Sequence, residues 1–289
     1  MQLCQVKCKV SSLLSSKEII VGTKMTNAPV YFTLAQVRHN PVLSLDSYVP
    51  GIQESLRKAG YSDFQRAMVV AFNLGNLAPA VGGDTKQEQP PQLRFERLTF
   101  ANMERTRGFI LDQNSLSFQS TDYDTFESFS GAFLMGLGIV HQAVSLGFSE
   151  RVGIRYLDAV VPAGGEKELQ KYLVPEVLGL ASRLGDEVNV LHSFSETQIR
   201  TPVGNVLSRT IIQNGPLGFP PDLQPIGLEV AERFKKISGV HAIIDTDGSS
   251  DAREPFDLNT LKGKLQALHD KIIKVFEATV TAHALNTWK

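Results

Sequence analysis

The chain has 289 residues, which is long enough for two domains, and its content of 42% hydrophobic and 20% charged residues is ordinary for a globular protein. Its 29 basic and 30 acidic residues give a net charge of −1, so it lacks the basic excess of proteins that work by binding nucleic acid. No apolar run approaches the roughly 18 residues that span a bilayer. We therefore expect a cytoplasmic protein that does not contact membrane and does not have nucleic acid as its main partner.

Cysteine usage argues against disulfides and metal in the core. The two cysteines, Cys4 and Cys8, both lie near the N-terminus, which fits a reducing compartment. A structural zinc ion needs four ligands, and this pair supplies two. We expect no metal and no other cofactor.

We divide the chain into three parts. Residues 1–24 have no continuous hydrophobic segment and no clean cleavage site of a secretory signal, so we interpret them as an upstream extension, disordered or preceding the native start at Met25. The turn-forming sequence Pro162-Ala-Gly-Gly165 marks a boundary, which gives a first unit over residues 25–163 and a second over residues 164–289. Within the second unit, residues 214–239 are rich in proline and glycine and form an insertion with one short helix near residues 227–236.

In the first unit, β-branched residues, aromatic residues and polar–apolar alternation predict strands. They cover residues 30–38, 66–74, 93–100, a hairpin of 109–112 with 116–119, and 151–161. Asp46 is the predicted N-cap of an early helix that ends at Gly60, and Asp124 with Glu127 forms a capping box for a second helix. That second helix repeats phenylalanine and aliphatic residues at helical spacing, so we expect it to be largely buried.

In the second unit, the same criteria predict a helix over residues 166–184 and strands over residues 187–200, 205–213 and 240–245. Thr201-Pro-Val-Gly204 has the composition of the turn of a hairpin. A closing helix over residues 257–283 carries leucines on one face and lysines on the other, and it is long enough to extend beyond its sheet and serve a dimer.

A short pattern occurs twice along the chain. Phe109-Ile-Leu-Asp112 is followed twelve residues later by Tyr123-Asp124, and Ala242-Ile-Ile-Asp245 is followed at the same spacing by Phe256-Asp257. In both copies the aromatic–aspartate pair opens a helix. We therefore predict an α+β fold of two related units, each an antiparallel sheet with a long helix packed on one face.

No catalytic motif emerges from the sequence. Asp245-Thr-Asp247-Gly-Ser resembles the first motif of haloacid-dehalogenase-type phosphotransferases, but only about 40 residues follow, so we interpret it as a strand leading into a loop. His141 and His269 occupy similar places on the two long helices, as half-buried structural histidines do. The least explained polar residues are Arg155, Tyr156 and Asp158, and with Asp245 they are our candidates for binding a ligand or a partner.

Separated segments of the chain resemble a known family. They are residues 28–38, residues 151–158, Ile244-Asp245, Leu268-His269 and Phe276. The family is an uncharacterised one of bacterial and archaeal proteins, sporadically distributed and often encoded in variable genomic islands. This resemblance transfers no catalytic residue, and His39 departs from the aromatic residue expected there. It implies an accessory locus similar to those of phage-defence and toxin–antitoxin components.

Three functions remain open. The first is a non-enzymatic binding or assembly protein, whose partner is a protein encoded nearby, with a homodimer as a further option. The second is a sensor or enzyme that binds a small ligand or nucleotide in a pocket between sheet and helix, with Arg155 at its floor. The third is a SecB-like chaperone, which requires an exposed apolar groove. The absence of a catalytic constellation favours the first.

Overall fold

In the part of the chain that the structure describes, nine antiparallel strands form one continuous sheet in the order β2-β3-β4-β5-β1-β6-β9-β8-β7. The structure, a computed structural model, describes residues 27–72, 92–162, 168–184, 190–223 and 225–289. The strands are β1 Val30–His39, β2 Asp63–Phe72, β3 Gln92–Ala101, β4 Arg107–Asp112, β5 Ser115–Ser120, β6 Phe148–Val160, β7 His192–Thr201, β8 Gly204–Asn214 and β9 Val240–Pro255.

Most helices pack against one face of this sheet, which we call the helix face. The helices are α1 Leu45–Lys58, α2 Phe126–Val144, the short α3 Leu169–Tyr172 and α4 Pro175–Leu178, a 3-10 helix Gly179–Arg183, the short α5 Glu232–Lys235, α6 Leu258–Thr279 and α7 Ala282–Trp288. Helices α1, α2 and α6 bury their apolar stripes in the main core, and α3, α4 and α7 cover a second cluster beside it. No helix within the described part of the chain has the length and hydrophobicity to cross a bilayer.

The opposite face of the sheet, here the open face, is covered in part by the β8–β9 connection, which contains α5. Residues 215–237 of this connection, which we call the cross-sheet segment, place Leu217, Phe219, Leu223 and Phe234 against apolar side chains of β1, β6, β8 and β9. Tyr31 donates a hydrogen bond from its hydroxyl to the Gly218 carbonyl, at 2.8 Å. The predicted insertion at residues 214–239 is therefore an ordered layer that closes a third apolar cluster.

The prediction of an α+β fold is confirmed, but the expectation of two separate sheets is wrong. Strands β1 and β6 pair along almost their whole length, with Thr33 opposite Tyr156, and β6 also pairs with β9, with Tyr156 opposite Thr246. These ladders join strands from both predicted units. The hydrophobic pattern of each strand indicates which face it buries, but it does not indicate its neighbour, and the pairing of β1 with β6 removes the two edges that separate sheets would have.

Strand β9 is ten residues longer than predicted. The interpretation of residues 246–249 as a loop after the strand is wrong, because β9 continues to Pro255 between β6 and β8. Its second half alternates Asp247, Ser249 and Asp251 on one face with Thr246, Gly248 and Ser250 on the other. Because polar residues occupy both faces, the sequence lacks the alternation that predicts a strand. The strand forms because β6 and β8 on either side satisfy its backbone hydrogen-bonding groups.

Helix boundaries also differ from the predictions in informative ways. Thr125, and not Asp124, is the N-cap of α2 and accepts a hydrogen bond from the Ser128 N–H, whereas Asp257 caps α6 as predicted. Ser44, and not Asp46, precedes α1. The helix predicted over residues 166–184 is replaced by three short helices, because Pro175 starts one of them and Gly179 adopts a positive φ of 58°. The predicted extension at residues 1–24 lies outside the described residues.

Candidate functional site

The open face carries a network of ion pairs at the centre of the sheet. In the antiparallel register, Arg155 of β6 lies opposite Asp247 of β9, and Arg209 of β8 lies opposite Asp245 of β9. Arg155 donates from Nε and Nη2 to the two carboxylate oxygens of Asp245, at 2.7 and 2.8 Å. Arg209 adds a third hydrogen bond to Asp245 at 3.2 Å.

Arg155 also binds the cross-sheet segment. Its Nη1 and Nη2 donate to the carboxylate of Asp222, at 2.8 and 3.1 Å, so one guanidinium holds two carboxylates. The hydrogen bonds from Arg155 lower the pKa of Asp222, which remains charged at neutral pH. Burial opposes the charge of Arg155, but its bonds to Asp245 and Asp222 outweigh that effect and raise its pKa.

This geometry limits what Arg155 can bind. The residue is 8% exposed and its donors are already directed at two carboxylates. An anionic ligand would have to displace Asp222, and Arg155 and Arg209 would then face Asp245 and Glu196 with no net positive charge. The network is therefore suited to fastening the cross-sheet segment to the sheet.

A second polar group lies on the helix face, buried between the sheet and helices α2 and α6. The Tyr156 hydroxyl lies 3.0 Å from Nδ1 of His269 and 3.5 Å from the Tyr123 hydroxyl. Burial lowers the pKa of His269 and raises that of Tyr156 well above its usual value. The Tyr156 hydroxyl and Nδ1 of His269 therefore share one hydrogen bond, and the tautomer of the imidazole sets which of the two atoms donates.

Asp158 is the most perturbed carboxyl group on this face. It lies two residues after Tyr156 on β6, and therefore on the same face of the sheet, and it is 7% exposed. None of the described residues donates a hydrogen bond to its carboxyl group. Burial, followed by the charge of Asp245, raises its pKa to about 7. Thr33 and Thr246, which flank Tyr156 on the neighbouring strands, have buried hydroxyls without partners within the described chain.

The two long helices exchange aromatic contacts. His269 of α6 stacks on Phe126 at the start of α2, with ring centroids 4.1 Å apart. His141 of α2 stacks on Phe256, which precedes α6, at 4.5 Å. Both rings are half-buried, as the sequence interpretation expected, and each packs against an aromatic ring at the start of the other helix. Within the described residues no cluster of three metal-ligating side chains occurs.

The third feature is the outer edge of the sheet at β7. Among the described residues, strand β7 pairs with β8 alone, and most residues of β7 are exposed. Leu191 and Phe194 are 71% and 51% exposed, and Leu180 of the neighbouring 3-10 helix is 71% exposed. We call the outer side of β7, with Leu191 and Phe194, the β7 edge surface.

A hollow beside the start of α2 does not have the size of a ligand site. Its volume is about 170 Å³ even with the open solvent at its mouth included, and the residues that line it include Arg107, Asp122 and Tyr123. Pockets that hold small ligands typically enclose about 300–1,000 Å³.

The structure separates the four predicted site residues into two pairs. Arg155 and Asp245 meet on the open face, whereas Tyr156 and Asp158 point to the helix face. Sequence reasoning missed Arg209 and Asp222 as partners. Arg209 meets Asp245 only through the register of β8 with β9, and Asp222 meets Arg155 only because the cross-sheet segment packs on the open face. Comparisons of the chain with protein-family models, with curated proteins and with solved structures gave no match.

Proposed function

We propose that this chain is a non-enzymatic binding or assembly protein that engages another polypeptide through the β7 edge surface. The observation that carries the proposal is an edge strand of ten residues, unpaired on its outer side within the described chain, next to exposed Leu191 and Phe194. Unpaired backbone groups of such an edge are a template for an added strand, and exposed side chains beside them supply specificity.

The direction of the free backbone groups follows from the hairpin. Thr201 and Gly204 flank a two-residue turn and are the last pair of the β7–β8 ladder, which makes them a hydrogen-bonded pair. The Gly204 N–H also donates to Oγ1 of Thr201, at 3.2 Å. Hydrogen-bonded pairs alternate along an antiparallel ladder. Residues 193, 195, 197 and 199 therefore also bond to β8, whereas Phe194, Glu196, Gln198 and Arg200 direct their N–H and C=O groups outward.

The reciprocal stacking of His269 on Phe126 and of His141 on Phe256 supports a second part of the proposal, that the chain is a duplicated unit. In each half, a first strand is followed by helical structure, then by an antiparallel meander and then by a long helix. The last strand of the meander pairs with the strand that opens the half: β5 with β1, and β9 with β6. The resemblance noted in the sequence supports an accessory locus, such as one for phage defence or a toxin–antitoxin pair. A protein encoded nearby or a second copy of this chain is then the partner to test.

The test is a proline at an outward-facing position. Gln198→Pro removes an outward N–H while leaving the β7–β8 hydrogen bonds in place, and Gln198→Ala is the matched control that keeps the N–H. Each variant is purified gently from cells that carry the native locus, and its assemblies are recorded by native mass spectrometry with circular dichroism as a check of folding. We expect wild type and Gln198→Ala to carry a stoichiometric second polypeptide chain that folded Gln198→Pro lacks. An assembly unchanged in Gln198→Pro would overturn the proposal.

The buried polar group on the helix face favours one alternative, a small-ligand sensor. Asp158, Thr33 and Thr246 all lack hydrogen-bond partners within the described residues, and a polar ligand between sheet and helices would supply them. Under this alternative, native mass spectra show a small non-covalent mass that Asp158→Asn loses. A wild-type spectrum without added mass contradicts it.

A further inference from the structure

We infer that the β7 edge surface pairs with the same strand of a second copy of this chain, in one register centred on Gln198. This inference rests on the proposed function and names the occupant of its surface. Antiparallel pairing of two identical strands about a two-fold axis brings residue i opposite residue j of the other copy, and j opposite i. Any such register is fixed by the residue that lies on the axis.

Charge selects the register. With Gln198 on the axis, Glu196 of each copy lies opposite Arg200 of the other, so the interface contains two ion pairs. With Glu196 or Arg200 on the axis, identical charges face each other, which destabilises an antiparallel pair. The axis at Thr197 places Glu196 opposite Gln198 and makes no ion pair.

Arg200 is available for this contact. It is exposed and has no ion-pair partner within the described residues, whereas Arg209 on the next strand is paired with Glu196 and Asp245. Glu196 is 45% exposed in its side chain, so its carboxylate keeps room for a second cation beside Arg209. The second copy supplies that cation from Arg200.

The apolar residues agree with the same register. Phe194 of each copy then lies beside the β7–β8 turn of the other copy, where Pro202, like Phe194, is exposed. Phe194, Glu196, Gln198 and Arg200 share one face of β7 by strand alternation, and all of them direct their backbone groups outward. The register therefore combines backbone hydrogen bonds with two ion pairs, and it places each Phe194 beside the turn of the other copy. The contact is small, so the dimer should dissociate on dilution.

The test exchanges charges between copies. Arg200→Glu alone brings two carboxylates together at each pair, and Glu196→Arg alone brings two guanidinium groups together, so each variant repels itself. Mixed together, the two variants restore opposite charges at both pairs. We expect sedimentation velocity to show dimer for wild type, dimerisation weakened at least about tenfold for each variant, and heterodimer recovered in the mixture. Arg183→Glu, on the 3-10 helix, is the control for net charge.

The outcomes separate this inference from the proposed function. A wild-type monomer, or a dimer unaffected by either substitution, overturns the inference. If Gln198→Pro still abolishes association with a different polypeptide in that case, the β7 edge surface binds a partner and only its assignment to a second copy fails. If Gln198→Pro has no effect on any assembly, the edge proposal and the inference fail together.

Discussion

Asp245 is 1% exposed and receives two hydrogen bonds from Arg155, at 2.7 and 2.8 Å, across neighbouring strands of the open face. The same guanidinium holds Asp222, whose side chain is 57% exposed. One arginine thus makes a buried and an exposed ion pair at once. Their energetic contributions should differ greatly, because solvent screens the second pair and not the first.

Arg155→Ala should lower the free energy of unfolding by about 3–5 kcal/mol, since it leaves the buried charge of Asp245 with Arg209 alone. Asp222→Ala should cost no more than about 1 kcal/mol, because that pair is exposed. Urea unfolding at pH 7 measures both. Equal losses in the two variants would contradict the assignment of Arg155–Asp245 as the dominant pair.

Asp222→Ala should instead act locally. Hydrogen exchange is expected to quicken in the cross-sheet segment around residues 217–223 while β6 and β9 keep their protection, because Asp222 is the residue through which Arg155 holds that segment. Unchanged exchange there would show that the apolar contacts of Phe219 and Leu223 suffice.

Asp158 should make stability fall as pH rises from about 4 to about 7. Its folded pKa of about 7 exceeds the unfolded value of 3.8, so in this window the unfolded chain has lost a proton that the folded chain retains. The shift corresponds to about 4 kcal/mol at its upper limit. Asp158→Asn should therefore be more stable than wild type at pH 8 and similar at pH 3.5. Denaturant titrations at both pH values measure the difference, and a difference independent of pH would refute it.

His269 should act in the opposite direction. Burial lowers its pKa below the usual 6.5, so the unfolded chain binds a proton before the folded chain does, and stability falls as pH drops below about 6.5. An NMR titration of the His269 ring should show a midpoint below the usual histidine value of 6.5. A midpoint at or above 6.5 would rule out burial as the dominant influence.

Two glycines of α2 should respond to alanine with opposite signs. A Cβ at Gly136 would lie 2.2 Å from the Phe109 ring, whereas a Cβ at Gly131 has nothing within 4 Å. Gly131→Ala should stabilise by about 0.5–1 kcal/mol through helix propensity, and Gly136→Ala should destabilise by about 1–3 kcal/mol through overpacking. Thermal unfolding compares them directly, and a stabilised Gly136→Ala would show that Phe109 moves aside freely.

The sequence allowed prediction of elements whose signals are local. The apolar stripe of Phe129, Phe133, Leu137 and Val140 identified α2, and the turn after Thr201 identified the β7–β8 hairpin, because helical periodicity and turn chemistry involve residues close in the chain. The β4–β5 hairpin is confirmed for the same reason.

What could not be predicted depends on register between distant strands. The pairing of β1 with β6 made one sheet of two expected sheets, and the continuation of β9 beyond Asp245 depends on ladders with β6 and β8. The candidate site has the same origin. Arg155 and Asp245 are 90 positions apart in the chain, and no local pattern indicates that they are partners.

The order of strands also has a consequence during synthesis. Strand β6 can pair early with β1, but its other neighbour, β9, begins only with Val240 and is made after most of the chain. About 90 residues separate Tyr156 from its partner Thr246 in the chain. At typical translation rates of about 5–20 residues per second, their synthesis takes roughly 5–20 s. Throughout that interval β6 is an edge strand whose outer backbone groups are unpaired and whose Arg155 lacks its partner Asp245. That edge is accessible to ribosome-associated chaperones and to neighbouring nascent chains.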